Sequence, residues 1–299
     1  MLKSYITMVK KMSEYENNPL KPPRNIDLPF FAYGIFKPNQ LAYSRIARFI
    51  RREYPEEINY DMLMRDGVPL IMPGKSNKIQ YKTKGYLIYF NEEDSKKAYD
   101  IISRNQLEKL YKWEVIWVGE NKANVLMGVN PELGSSYSEE FKVNYDGRKD
   151  PYFKEAIDVV EQELNDENKH WSKVDDFFKL QMAYMLLWSS IERYCSLRYD
   201  GQSIGKNNRK FSKEKAFSEG LKSYVKSERK VYSAADLREY TLNPEKPYDS
   251  IRYYYTIRCN TVHRGKALHN DEHMLRQSLT ELLNIFKDVL DDTFENYEG

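Results

Sequence analysis

The pattern of apolar and polar positions changes character once along the chain, near residue 145. Before that point the texture is strand-like. LPFFAYGIF, starting at Leu28, reads as a buried strand running into a glycine turn. GYLIYF (Gly85 to Phe90) and WEVIWV (Trp113 to Val118) are rich in aromatic and branched residues, as strands are. ANVLMG (Ala123 to Gly128) follows the turn GENK and predicts a hairpin. Helical spacing is sparser. It predicts an amphipathic helix over residues 1 to 15, with Leu2, Tyr5, Ile6 and Val9 on one stripe, before the break at Pro19 to Pro23. Two further helices are expected, Ala42 to Ile50 with Ile46, Phe49 and Ile50 on its apolar face, and Glu92 to Ile102. Strands with few helices predict a small α+β or barrel-like domain.

The polar, turn-rich string NYDGRKD marks the boundary, giving domains over residues 1–145 and 146–299. Asp150-Pro151 then has the form of a helix start, with Asp as N-cap and Pro in the first turn, and Phe153, Ala156, Ile157, Val160 and Leu164 keep helical spacing. A long helix is expected from Lys173 to Leu197, with Val174, Phe177, Gln181, Tyr184, Met185, Trp188, Ile191 and Cys195 on its buried face. Residues 212 to 230 read as a polar helix and 233 to 240 as a short one. Tyr248 to His263 is the next, ended by Gly265, and Asp271 to Thr293 the last. No strand is expected in this half, which predicts an all-α helical bundle.

Composition narrows the classes. Apolar residues are 41% and charged residues 31% of the 299, enough for two cores and a well-solvated surface. The net charge of +2 excludes a uniformly basic polymer binder, so any affinity for nucleic acid must come from a local patch. Residues 206 to 230 supply one, with nine Lys or Arg against three Glu; Lys206, Arg209 and Lys210 are the candidate phosphate contacts. A solvated helix face is the plainer reading of the same run. Two cysteines, Cys195 and Cys259, both in helical patterns, make no disulfide framework and suggest a reducing cytoplasm. No secretion signal or membrane-spanning stretch is expected. His269 and His273 are four apart, but other ligands at metal spacing are missing, so no metal or cofactor is expected.

The chemically informative string is IRCNTVHRG, Ile257 to Gly265. RNA cleavage by attack of the ribose 2′-hydroxyl on the neighbouring phosphate needs a group that moves protons near neutral pH and a fixed cation for the charge on phosphate. His263 and Arg258 are of those types, and Asn260 adds a polar group. Five positions turn an ideal helix by about 140°, so Arg258 and His263 converge only if the helix distorts near Gly265 or if a second copy supplies one of them. The plain alternative is a helix-terminal His and a surface Arg. Glu192, one turn after Trp188, either holds Arg258 by an ion pair or sits at a solvated edge.

Three features of residues 150 to 292 resemble the HEPN family: the apolar helix AYMLLWSSIERYCSL with its embedded Glu192, the string IRCNTVHRG, and a final amphipathic helix. The resemblance implies a helical bundle, a metal-independent endoribonuclease using Arg258 and His263, and a homodimer whose two motifs line one cleft. It also implies a use as a toxin or antiviral defence effector. In the family a polar residue often follows the Arg directly; here Cys259 stands there and Asn260 comes one later. The aromatic edge Tyr253 to Tyr255 is the expected dimer contact.

FFAYGIFKPNQ (Phe30 to Gln40), GVPLIMPG (Gly67 to Gly74), GYLIYF and WEVIWV, in that order, resemble the γ-glutamylcyclotransferase-like fold. The resemblance implies a ligand loop at Tyr33, Gly34, Ile35 and Phe36. It also implies an acid–base Glu three residues after Asp100, where this chain has Ser103. Without that carboxylate the domain is expected to be non-catalytic, a sensor or regulator for a small ligand or partner protein. A non-enzymatic assembly module and a γ-glutamyl cyclotransferase are the competing readings of the whole chain.

Overall fold

The computed structural model describes residues 18–65, 68–71, 82–104, 106–129, 143–171, 173–199, 203–264 and 271–295. The helix expected over residues 1–15, parts of GVPLIMPG, Gly265 and His269 lie outside the described residues. The chain divides into two compact units, Met1–Asp146 and Gly147–Gly299.

Among the described residues the first unit has seven strands: β1 (Phe30–Ala32), β2 (Ile50–Ile58), β3 (Met62–Arg65), β4 (Val68–Ile71), β5 (Thr83–Phe90), β6 (Tyr111–Val118) and β7 (Asn121–Gly128). The buried strand β1 lies between β5, antiparallel with Phe31 opposite Leu87, and β7, parallel with Phe31 opposite Val125. β2 extends the sheet beyond β5, while β4 and β6 both pair with β7, and β3 pairs with β4. β6 and β7 form the expected hairpin, turning at Gly119, whose φ of +57° suits a residue without a side chain. Helix α1 (Ser95–Arg104) buries Ala98, Tyr99 and Ile102. The Tyr99 ring meets Phe30, Phe90 and Trp113 edge-on, and its hydroxyl donates to the Leu28 carbonyl at 2.6 Å.

Two expectations are corrected here. The unit is a curled, mixed sheet and not a barrel: two of its pairings are parallel, and no ladder among the described strands joins β2 to β3 or β6. Strand texture does not carry strand order, because β1 meets β7 across more than ninety residues. The segment Ala42 to Ile50 forms two 3-10 turns, Tyr43–Arg45 and Ala47–Phe49, instead of a helix. Ile50 already has extended dihedrals and opens β2, so too few residues remain to repay helix nucleation. β2 (IRREYPEEI) lacks the apolar texture of the other strands; its charges and Pro55 are the signature of a sheet edge, and among the described strands it pairs on one side only.

Lys37 follows the loop after β1 and is 6% exposed, with its ammonium donating to Asn144 Oδ1 at 2.5 Å. Burial lowers its pKa from 10.5 to about 8, partly offset by Asp146. Between those values the unfolded chain binds the extra proton, so Lys37 makes stability rise as pH increases from 8 to 10.5 and costs on the order of 3 kcal/mol below that window. Denaturant titrations across the window should show this slope in the wild type and its loss in Lys37→Met. Equal slopes would mean that the lysine is solvated.

The second unit holds helices α2 (Pro151–Asn165), α3 (Val174–Arg198), α4 (Ile204–Phe211), α5 (Lys215–Tyr224), α6 (Pro247–Arg264) and α7 (Glu272–Glu295). Asp150 caps α2, accepting from the Tyr152 amide at 3.0 Å, and its second oxygen binds Arg193 of α3 at 2.6 Å. Between α5 and α6 runs an antiparallel hairpin, β8 (Arg229–Tyr232) and β9 (Glu239–Leu242). The all-α expectation is therefore corrected: the helix expected over 212–230 is present only as Lys215–Tyr224, and 233–240 is the turn of the hairpin with the start of β9 instead of a helix. Arg229 opens β8 because its guanidinium is bound by the buried Glu281 of α7, a long-range pairing that no local pattern announces.

Among the described residues no helix is long and apolar enough to cross a membrane.

Candidate active site

α3 and α6 carry the candidate chemistry. One turn of α3 brings Trp188 and Glu192 into line, and the indole Nε1 donates to Glu192 Oε1 at 2.8 Å. Trp188 is buried, so the carboxylate is anchored by a group that cannot move. The facing turn of α6 carries Tyr255 and Arg258. The Tyr255 ring lies 5.6 Å from Trp188, and the Arg258 guanidinium lies 6.0 Å above the Tyr255 ring. Burial, then the neighbouring Cys259, raises the Tyr255 phenol pKa.

Arg258 Nη2 stands 3.9 Å from Glu192 Oε1, with side chains 22% and 34% exposed. Of the two readings of Glu192, the structure has the ion pair. At that separation it is an electrostatic tether and not a fork-to-carboxylate hydrogen bond. Arg258 Nε is buried and has no hydrogen-bond partner among the described residues. The side chain as a whole is 22% exposed and its tether is loose, so the guanidinium keeps some open surface for an anion.

Asn260 is occupied. Its Oδ1 accepts from the Ala234 amide at 2.8 Å, and its Nδ2 donates to the Tyr232 carbonyl at 2.8 Å. It clamps the turn of the β8–β9 hairpin to α6, a structural task the sequence did not suggest because the hairpin was not foreseen. His263 lies on the last turn of α6, which continues to Arg264. The position of its side chain lies outside the described residues. With α6 helical through both positions, Arg258 and His263 start about 140° apart around the axis.

Lys206, Arg209 and Lys210 are exposed on α4, whose N-terminus is capped by Ser203 Oγ. Arg209 lies 5.2 Å from the Tyr248 ring and Lys210 5.8 Å from the Tyr199 ring, so both heads stand beside aromatic faces. The basic run is weaker than its sequence: Arg229 is spent on Glu281, Lys230 on Glu239, and Lys222 on Glu245. The edge Tyr253 to Tyr255, expected to contact a second copy, is mostly interior, with Tyr253 and Tyr254 both 0% exposed. His273 is exposed on α7, and among the described residues no three His, Cys, Asp or Glu side chains gather into a metal-sized cluster.

In the first unit the loop after β1 is tightly filled. Tyr33 is buried, its hydroxyl donating to the Leu126 carbonyl at 2.7 Å, and a Cβ on Gly34 would come within 2.6 Å of Pro69. Tyr33, Gly34, Ile35 and Phe36 enclose a void of about 20 Å³, room for a water and far below the several hundred Å³ of small-molecule sites. Ser103 is buried and accepts from Trp113 Nε1 at 3.2 Å, while Asp100 pairs with Lys96. Asp100, Ser103 and Glu108 line a separate open depression, so loop and carboxylates do not share a cavity.

Compared with known protein families, curated proteins and solved structures, the chain matches none.

Proposed function

We propose that this protein is a metal-independent endoribonuclease acting through Arg258 and His263. The observation that carries the reading is the guanidinium of Arg258, part-buried and held only loosely, at 3.9 Å, by an indole-anchored Glu192. Such a group stabilises charge growing on a phosphate without needing a metal. His263, on the same helix, moves the proton, and the 2′-oxygen displaces the 5′-oxygen to leave a 2′,3′-cyclic phosphate. The divergence of the two positions along α6 favours a homodimer in which each copy completes the other's site. Asn260 has no part in the chemistry, because both ends of its amide are engaged. The sequence resemblance to HEPN nucleases, on IRCNTVHRG, points the same way, and a defence or toxin role in the cytoplasm follows from it.

The test is cleavage of RNA by the purified chain in excess EDTA, with product ends analysed for cyclic phosphate. Uncut RNA, or cutting that EDTA abolishes, overturns the reading. The basic face of α4 is the proposed path for the strand. Replacing Lys206, Arg209 and Lys210 together by Ala should weaken RNA binding and flatten the slope of log affinity against log salt by up to about 2, near 0.7 for each lost contact to a single strand. An unchanged slope would place the strand elsewhere.

A further inference from the structure

The second unit contains a cleft that the proposed chemistry does not use. It measures about 300 Å³ and is walled by α3, the β8–β9 hairpin, α6 and the start of α7. Phe177, Val231, Ile257, Met274 and Leu275 make most of its surface apolar. Its open wall is held in place by the Asn260 clamp on Tyr232 and Ala234, so the cleft is a built feature of the hairpin and not a gap between loose segments. On α6 the lining residues Ile257, Asn260 and Thr261 share one side of the helix, and Arg258 is not among the residues that line the cleft.

Polar groups in the cleft differ in how far they are committed. Lys230 pairs with Glu239 at 2.8 Å, Thr261 donates to the Ile257 carbonyl at 2.9 Å, and Ser233 Oγ accepts from the Ala235 amide at 3.3 Å. Two side chains of the cleft are uncommitted among the described residues, the neutral amide of Gln181 and the carboxylate of Asp271. Asp271 is half-buried at the head of α7 and is the only one of the two that can carry charge. Burial raises its pKa. A desolvated carboxylate facing an apolar cavity is unfavourable unless a positive group or a strong donor meets it.

We infer that this cleft binds a compact organic cation, an ammonium or guanidinium on an apolar body, with its charge on Asp271 and its body against Phe177, Ile257 and Leu275. The apolar walls reject strongly hydrated metal ions, which require several oxygen ligands where the cleft offers one carboxylate. The inference is independent of RNA cleavage and holds whether or not the chain is a nuclease.

The experiment is calorimetric titration of the full-length chain with two probes of one shape, phenethylammonium chloride and the neutral 2-phenylethanol. The expected result is saturable binding of the ammonium, at least tenfold tighter than the alcohol, and weakening as pH falls and Asp271 takes up a proton. Asp271→Asn should lose that preference and bind both probes equally. The wild-type comparison of the two probes stands even if the variant folds poorly. Equal affinity for the two probes, no saturable binding of either, or an ammonium preference that persists in Asp271→Asn would each overturn the inference.

Discussion

His263→Ala and Arg258→Ala should each lose RNA cleavage by a hundredfold or more while keeping the wild-type fold. Proton transfer by a placed side chain is typically worth about 10² to 10⁴ in rate, and a charge-stabilising donor about 10² to 10³. Arg258 leaves little behind when truncated: its tether to Glu192 is loose, and that carboxylate keeps its bond from Trp188. Arg258→Lys should restore little, because an ammonium lacks the planar fork that spans two phosphate oxygens. Circular dichroism and single-turnover cleavage in EDTA check both halves of the expectation. If the proposed homodimer places one residue from each copy in a site, mixing the two inactive variants should regenerate part of the activity. Full activity in His263→Ala would return Arg258 and His263 to ordinary helix positions.

Arg229→Ala should be the most damaging single change to the second unit. Arg229 donates through Nη1 and Nη2 to Glu281, whose side chain is 6% exposed and also accepts from Tyr254 at 3.2 Å and Gln277 at 3.2 Å. Removing the cation leaves a buried, uncompensated carboxylate, which typically costs about 3–5 kcal/mol. The hairpin that forms one wall of the cleft should loosen with it, because β8 begins at Arg229. Replacing both partners, Arg229→Met with Glu281→Met, should recover most of the loss, since a well-packed apolar pair avoids the desolvation of two charges. Urea denaturation of the single and double variants measures the difference. A double variant as unstable as Arg229→Ala would show that the pair itself, and not the stranded charge, carries the stability.

The candidate site was legible in part. Arg258, His263 and Glu192 were singled out by residue type and spacing, and the Glu192–Arg258 tether is present at 3.9 Å. Asn260 was misjudged. Its neighbours in sequence suggested catalysis, but its partners, Tyr232 and Ala234, are more than twenty residues away. The loop Tyr33 to Phe36 read as a ligand site, whereas tertiary packing of Pro69 and Leu126 fills the space. The cleft at Asp271 was missed altogether, because its walls come from four separate elements.

The sequence by itself determined the local elements whose signals lie within a few residues. The Asp150 cap and Pro151 start of α2, the spans of α3, α6 and α7, and the β6–β7 hairpin with its Gly119 turn all appear where residue pattern placed them, to within two residues at helix ends, although Val174, expected on the buried face of α3, is exposed. Their information is short-range: capping hydrogen bonds, side-chain period and permitted φ. Only the tertiary structure decided the order of the sheet, the parallel pairing of β1 and β4 with β7, and the β8–β9 hairpin in a half that reads as helical. Strands at sheet edges carry no hydrophobic alternation to announce them. The hairpin exists because Arg229 finds Glu281 and Asn260 finds the Tyr232 carbonyl, contacts formed between residues that the chain keeps far apart.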